Sequence, residues 1–256
     1  MKNTNITINF NCWCSIAPMS LSEKITTFAE HIKNKYNDLS VITSINIQEF
    51  IGGKNAKYVQ ELESAFEGRF QAITPPSFQY FSHPRSIMNI TLIRRGIQYR
   101  VIPFAFTLPN RTIYLEAKIG EQNFRILNYY AVQTQTLSSA ASWYAVKRLI
   151  QKETLWGEVL EEATHCSKNA IPLLILGDMQ ESSQDIHIQQ LIKQGFREKN
   201  PVYFPTAKGF QENRIDHMIY SQAAWNEPSF HPASMDFDGN LLGSITDHIM
   251  LATSTK

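Results

Sequence analysis

Leu173-Leu174-Ile175-Leu176-Gly177-Asp178-Met179-Gln180 is the stretch on which the reading of this chain turns. Four consecutive apolar residues followed by Gly and Asp predict a strand buried on both faces that ends in a carboxylate. Gly177 lets the backbone turn, or approach a neighbour closely, at the strand end. Asp178 and Gln180 are expected on the same side of an extended segment. A carboxylate at the mouth of an apolar strand is costly unless it is paired, metal-bound or solvated. Taken alone such an Asp more often starts a loop, so its meaning depends on the other strand ends.

Outward from that strand, composition sets limits. The chain has 256 residues, 43% of them hydrophobic and 18% charged, which suits a globular protein with a sizeable core. No repeat, low-complexity tract or Pro/Gly/Ser linker divides it, so a single domain over residues 1–256 is expected. The formal net charge of +1 provides no broad basic footprint. That argues against holding long duplexes by charge alone, and leaves room for an enzyme that engages nucleic acid transiently. Cys12, Cys14 and Cys166 cannot form a fully paired disulfide framework and fit no zinc spacing, so reduced structural thiols are expected. Met1–Asn11 is polar, without an apolar core of signal-peptide length, and no segment approaches membrane-spanning length. A cytoplasmic monomer is the expectation.

Along the chain, residues 5–12 alternate apolar and polar and predict a first strand ending near Asn11. Ser20 and Glu23 have capping-box spacing and open a helix to about Asn34. Val41–Gln48 predicts a second strand with Glu49 at its end, and Asn55–Phe66 a second helix. Turn signals at Thr74-Pro75-Pro76, Arg95-Gly96 and Leu108-Pro109-Asn110 separate short segments read as hairpins over 87–94, 97–104 and 112–118. Phe124–Val132 predicts a strand, and Ser138 to about Thr164 a helix, with a break near Gly157. A helix near 184–194 and strands at Ile215–Tyr220 and Ile249–Ala252 follow. Ser221–Ser244 reads as a long loop, rich in Pro, Asp and Gly. Its aromatics Trp225, Phe230 and Phe237 are expected to cap the core, the alternative being a substrate-facing platform.

Polar groups collect at these predicted ends: Asn11, Gln48-Glu49, Asn128 with Tyr130, Asp178 with Gln180, Asp216, and Asp247-His248. Each alone is ordinary, but strand ends in a layered fold converge on a common edge. In order, Phe10-Asn11, Gln48-Glu49, Asn128-Tyr129-Tyr130-Ala131, Gly177-Asp178-Met179-Gln180, Arg214-Ile215-Asp216-His217 and Thr246-Asp247-His248 resemble the motif series of the endonuclease/exonuclease/phosphatase superfamily. That superfamily includes abasic-site endonucleases, pancreatic-type deoxyribonucleases, inositol-polyphosphate phosphatases and bacterial sphingomyelinases. The resemblance runs from residue 10 to 248. It implies an α/β fold, a four-layer α/β sandwich of two facing, mostly antiparallel sheets flanked by helices.

The chemistry the resemblance implies is metal-assisted hydrolysis of a phosphoester. Glu49 matches the principal metal carboxylate, with Asn11 and Asp247 beside the ion. An all-oxygen site of this kind suits Mg²⁺ or Mn²⁺. Asp178 matches the group that orients or deprotonates the attacking water, and His248 the imidazole that donates to a phosphate oxygen. Asp216 matches the carboxylate that holds that ring, while Tyr130, Gln133 and Gln180 match further catalytic or phosphate-binding donors. The superfamily usually has Asn in place of Gln180, Ser in place of Thr246 and in many members Asn in place of Gln133. The expected activity is a divalent-metal-dependent nuclease acting on nucleic acid. The alternatives are a phosphatase or sphingomyelinase-like phospholipid diesterase, and a catalytically impaired relative kept for binding.

Overall fold

The computed structural model describes residues 5–11, 19–75, 87–134, 143–199, 215–242 and 244–255. Cys12, Cys14, Pro76 and Arg214 lie outside them, as do the first residues, 138–142, of the helix expected from Ser138. In chain order the elements are β1 (Ile6–Asn11), α1 (Leu21–Lys35), β2 (Ile42–Ile51), α2 (Lys57–Ala65), β3 (Phe70–Ile73), β4 (Ile87–Arg94), β5 (Tyr99–Val101) and β6 (Thr112–Ile119). Then come β7 (Gln122–Tyr130), α3 (Trp143–Lys168), β8 (Leu173–Asp178), α4 (Ile186–Lys193), β9 (Arg197–Glu198), β10 (Asp216–Tyr220), α5 (Gln222–Asn226), β11 (Pro232–Asp238) and β12 (Met250–Thr255).

Two six-stranded sheets result, ordered β11-β12-β1-β2-β4-β3 and β5-β6-β7-β8-β10-β9. Each contains one parallel pair, β1–β2 in the first and β7–β8 in the second, and every other pairing is antiparallel. Helices cover the outer faces. Phe28 and Ile32 of α1 and Val59 and Leu62 of α2 pack with Ile8, Ile45 and Ile90 of the first sheet. Trp156 and Val159 of α3 and Ile188 of α4 pack with Leu127, Leu173 and Ile175 of the second. A third apolar cluster fills the space between the sheets, joining Ile93 and Leu251 to Ile126, Leu174, Leu176 and Met218. The layers therefore run helix, sheet, sheet, helix, as the motif series implies.

The strand that opened the reading shows how this works locally. Leu173 and Ile175 face the α3 side while Leu174 and Leu176 face the other sheet, all fully buried. Gly177 holds φ 144°, and a Cβ there would lie 1.7 Å from the carbonyl oxygen of Tyr129 in the adjacent strand. Only glycine lets β7 and β8 meet at this point. At the other end of the chain, the predicted capping box closes α1. Ser20 Oγ accepts from Glu23 N at 3.3 Å, and Glu23 Oε2 accepts from Ser20 N at 2.7 Å.

Several expectations are corrected. Residues 87–94 and 97–104 are not a hairpin. Arg95-Gly96 does turn the chain, but Ile87–Arg94 is nearly all buried and takes β2 and β3 as neighbours, while only Tyr99–Val101 is strand, in the other sheet. β2 runs on to Ile51, so Glu49 lies within it, at a register shift between Ile47 and Phe50 rather than at its end. α3 is continuous through Gly157. Ser221–Ser244 is not a bare loop. Ser221 caps α5, accepting from Ala224 N at 3.2 Å, and β11 pairs with β12 at the sheet edge. Pro232 begins that edge strand, one of the few strand positions where the missing N–H is harmless, and it disguised the strand as loop. Phe230 is buried and stacks on Phe124 at 4.3 Å, and Trp225 is half-buried against Tyr220 and His231. Phe237, partly buried, packs on the same inter-sheet cluster, so these aromatics serve the core.

Candidate active site

The topology explains why polar groups scattered through the sequence meet. The parallel pairs β1–β2 and β7–β8 bring Asn11, Tyr130 and Asp178 to the C-terminal ends of their strands and set Gln48 of β2 in register with Asn11. Antiparallel neighbours begin where these strands end. Asp216 opens β10 directly opposite Asp178 in register, and Asp247-His248 immediately precede β12.

At the centre, His248 Nδ1 lies 2.9 Å from Asp216 Oδ2, and its Nε2 lies 3.9 Å from Asp178 Oδ2. The ring is thus held by one carboxylate and faces another. Its backbone N–H donates to Thr246 Oγ1 at 3.0 Å, and that hydroxyl donates to the carbonyl of Asn11 at 2.6 Å, fastening the His248 turn to β1. Thr keeps the hydroxyl this link needs. Asp178 is completely buried, and its carboxylate accepts from Asn11 Nδ2 at 3.0 Å and from Gln180 Nε2 at 2.7 and 2.8 Å. Gln180 reaches both oxygens because its backbone turns back at φ 51°, its own N–H also lying 3.2 Å from Asp178 Oδ1. The extended geometry expected for this pair is therefore corrected to a fold-back.

Electrostatics follow from burial. Desolvation pushes the Asp178 carboxyl upward, reinforced by Asp216 and Glu49 and opposed by His248. Desolvation alone would lower His248, but Asp216, with Asp178 and Asp247, raises it well above its ordinary value. The surrounding carboxylates thus favour the protonated imidazole, and burial disfavours the ionised Asp178 carboxyl.

Beside this group stands Glu49. It occupies the left-handed region at φ 54° within the β2 irregularity, a conformation costly for a residue with a Cβ. Such irregularities re-aim side chains next to functional sites. Tyr130 Oη donates to Glu49 Oε1 in a short contact. Burial raises the Glu49 carboxyl, against the lowering by Tyr130, His248 and Arg111. Asp247 Oδ1 lies 3.8 Å from His248 Nε2, with its side chain one-third exposed. Arg111 stacks its guanidinium 4.2 Å above the Tyr130 ring and donates to Ala131 O at 2.8 Å. Sequence reasoning missed this cation, because it falls between the turn signal Leu108-Pro109-Asn110 and the segment read from residue 112. Gln133 is exposed three residues past β7, and the described hydrogen bonds do not tie it to the cluster.

Behind the site lies a buried amide layer. Gln48 Nε2 donates to Asn9 Oδ1 at 2.8 Å and to Asn128 Oδ1 at 2.7 Å. Asn89 Nδ2 donates to the same Asn128 oxygen at 3.1 Å, and Asn128 Nδ2 to Ile90 O at 3.1 Å across the sheets. Each of Asn9, Gln48 and Asn128 stands one or two residues before a site residue, namely Asn11, Glu49 and Tyr130.

Two sets of groups could hold a cation. Asp178, Asp216 and His248 offer ligand atoms within 4.8 Å of one another. Binding there would require the imidazole to give up a proton that its carboxylates retain. Glu49, whose carboxyl is raised by burial and further by nearby Asp247, is the other candidate: it, Asp247 and Asn11 carry hard oxygen donors. By the chemistry of their donors these residues would suit a hard divalent cation.

No family model matches the chain, and no curated protein matches its sequence. Solved structures do. An AP endonuclease from Archaeoglobus fulgidus superposes with a TM-score of 0.68 at 13% identity, covering 98% of this chain and 99% of that one. The chain has the endonuclease/exonuclease/phosphatase fold. A 3′ phosphatase from Neisseria bound to a product DNA hairpin matches with a TM-score of 0.65 at 15% identity over 98% of this chain and 99% of that one. An endonuclease/exonuclease/phosphatase family protein from Bacteroides thetaiotaomicron matches with a TM-score of 0.63 at 12% identity, covering 98% and 94%. The solved relatives of this fold thus include nucleases and a phosphatase, and no helix among the described residues is long and apolar enough to cross a membrane.

Proposed function

We propose that this chain is a divalent-metal-dependent phosphodiesterase that hydrolyses nucleic-acid phosphodiester bonds. The carrying observation is the buried Asp216–His248–Asp178 group beside Glu49 and Asp247 on one edge of a fold whose solved relatives include DNA-acting enzymes. In this reading Asp178, both of whose oxygens are held by amides, orients a water and takes its proton as the water attacks phosphorus. His248, its Nδ1–H directed to Asp216, presents Nε2–H to a phosphate oxygen. Tyr130 and Gln133 are further phosphate-side donors, while Gln180 fixes the Asp178 carboxylate. Glu49, Asn11 and Asp247 hold Mg²⁺ or Mn²⁺. The bound ion supplies neutralisation of phosphoryl charge and stabilisation of the leaving oxygen.

A second reading, a phospholipid phosphodiesterase on the same site, is favoured by one observation: Trp143, Val146 and Ile150 expose apolar side chains along the first two turns of α3. A single panel separates the two. The protein is incubated with Mg²⁺ or Mn²⁺ and plasmid, abasic-site duplex, RNA, sphingomyelin or inositol phosphates. Cleavage of a nucleic acid, abolished by EDTA and restored by the added ion, is the expected result. Full turnover after exhaustive EDTA treatment overturns the metal assignment. Inactivity on every phosphoester supports a binding role instead.

A further inference from the structure

Gln180 holds Asp178 from a backbone conformation that itself needs holding. At φ 51° it lies in the left-handed region, which costs free energy for a residue with a long side chain. It stands between β8, which ends at Asp178, and α4, which begins at Ile186, so no strand or helix ladder fixes it. The next residue is anchored instead. Glu181 is buried, as a carboxylate rarely is unless paired. Its Oε1 meets Lys152 Nζ of α3 at 2.8 Å and His187 Nδ1 of α4 at 2.7 Å. Its backbone carbonyl accepts from His217 Nε2 of β10 at 2.8 Å.

These three anchors come from three elements, and the two rings are themselves held. His187 stacks on Trp156 with ring centroids 5.0 Å apart and turns Nε2 to Glu153 at 3.2 Å. Burial lowers His187, but Glu181 and Glu153 outweigh it and raise the ring above its ordinary value, which favours a second positive charge beside Glu181. His217 is fully buried, pairs with Gly177 in the β8–β10 register and directs Nδ1 to Glu198 Oε2 at 3.3 Å. A carbonyl only accepts, so Nε2 of this ring carries the hydrogen. His217 directly follows Asp216, the carboxylate that holds His248. Glu181 thus ties the segment bearing the Gln180 amide to the strand that carries Asp216.

We propose that Glu181 is a positioning residue, whose anchors on Lys152, His187 and His217 hold Gln180 in its fold-back and so set the aim of Asp178. What that aim accomplishes rests on the hydrolytic reading above, while the fold-back rests on geometry alone. A purely structural role accounts for less. Burying an ion pair costs roughly what its attraction gains, so such pairs are poor glue. Trp156 of α3 and Ile188 of α4 already pack in one apolar cluster without charge. A directional set of bonds to one carboxylate adds fixed position, and it adds it one residue from the amide that grips both Asp178 oxygens.

The test reads one set of full-chain variants in two ways. Hydrogen exchange of the Gln180 backbone amide, which donates to Asp178 Oδ1, reports the fold-back without any substrate. Glu181→Ala should speed that exchange by about tenfold or more, while the amides of Ile175 and Leu176 keep their protection. On the phosphodiester that the substrate panel identifies, Glu181→Ala should lower kcat by about tenfold with little change in KM. Glu181→Gln, which keeps an acceptor for Lys152 and His187, should recover most of that loss. Once Gln180→Ala has removed the amide, Glu181→Ala should cost little more, because residues that act as a unit are non-additive. Lys152→Met and His187→Gln each remove one anchor from outside the segment, and should repeat both effects more weakly even where Glu181→Ala fails to fold. Unchanged Gln180 exchange in the folded variants overturns the inference. So does a loss of kcat that adds in full to that of Gln180→Ala. A wild type inactive on every phosphoester defeats the hydrolytic reading instead, and the exchange measurement then decides the anchoring role by itself.

Discussion

The two sheets share a plan, each built around one parallel pair that ends at the site, yet their facing sides differ in chemistry. The second sheet presents Leu115, Ile126, Leu174, Leu176 and Met218 inward and turns polar only near the site edge, at Asn128, Tyr130, Asp178 and Asp216. Along the first, Thr7, Asn9, Asn11, Ser44, Asn46, Gln48, Asn89 and Thr91 are buried polar residues that alternate with the apolar ones facing α1 and α2. Buried amides must find partners, and directional bonds fix geometry more closely than apolar contact does. The second sheet thus supplies a rigid apolar platform that carries the acid–base group. The first supplies a hydrogen-bonded frame that aims Asn11 and Glu49. Substitutions in the two should fail differently.

The largest effect is expected where the platform is tightest. Gly177→Ala places a methyl 1.7 Å from Tyr129 O in a backbone conformation that L side chains rarely adopt. Parting β7 from β8 should cost about 4 kcal/mol or more, read as loss of a cooperative melt or a very large fall in Tm. A mild shift would show that the parallel pair yields at this point, and that the platform is not rigid.

Next comes the chemistry at the end of the platform. Asp178→Asn and His248→Ala should each lower turnover by about 10²-fold or more while folding is retained. If Asp216 acts only by holding His248, removing it should cost much less once His248 is gone, because residues that work as a unit are non-additive. Additive losses in the double variant would make Asp216 an independent structural element.

On the frame side, Asn128→Leu should act on stability first. It removes the oxygen that Gln48 Nε2 and Asn89 Nδ2 share, though Gln48 keeps Asn9 Oδ1 and Asn89 keeps the carbonyls of Arg111 and Asn128, and it removes the donor to Ile90 O. About 2 kcal/mol of destabilisation is expected from the buried hydrogen bonds lost, with residual turnover reduced through the aim of Glu49 and Tyr130. A stable variant with wild-type turnover would mean that the amide layer is dispensable for alignment.

These contrasts mark what the sequence could disclose. The strand at Leu173–Asp178 was legible because burial on both faces leaves an unbroken apolar run, and the ordered motifs named the edge where Asp178, Asp216 and His248 converge. Alternation in residues 5–12 was legible as a strand, but not that its polar side is sealed between sheets, since alternation records two faces and not what covers them. The bend at Glu49 was invisible, because a register shift belongs to the pairing of β2 with β4 and not to either segment alone. Arg111 escaped for a related reason: only the fold brings its turn over Tyr130.

The smallest effect, and the most discriminating, is expected at Gln180. Its backbone sits at φ 51°, where Asn is better tolerated than Gln, so Gln180→Asn should raise stability by a few tenths of a kcal/mol. Its side chain uses the extra methylene to fold back, with Nε2 2.7 and 2.8 Å from the two Asp178 oxygens. Asn in the same backbone loses about 1.5 Å of reach and should release at least one of those contacts. Asp178 would then be held mainly by Asn11, its aim loosened by an amount that costs roughly tenfold in turnover. A small rise in Tm with a fall in turnover is therefore the expected pair of results, and it places the role of the amide on the carboxylate. A rise in turnover would mean instead that the donor belongs to the phosphate, and that Gln at this position is a mild impairment.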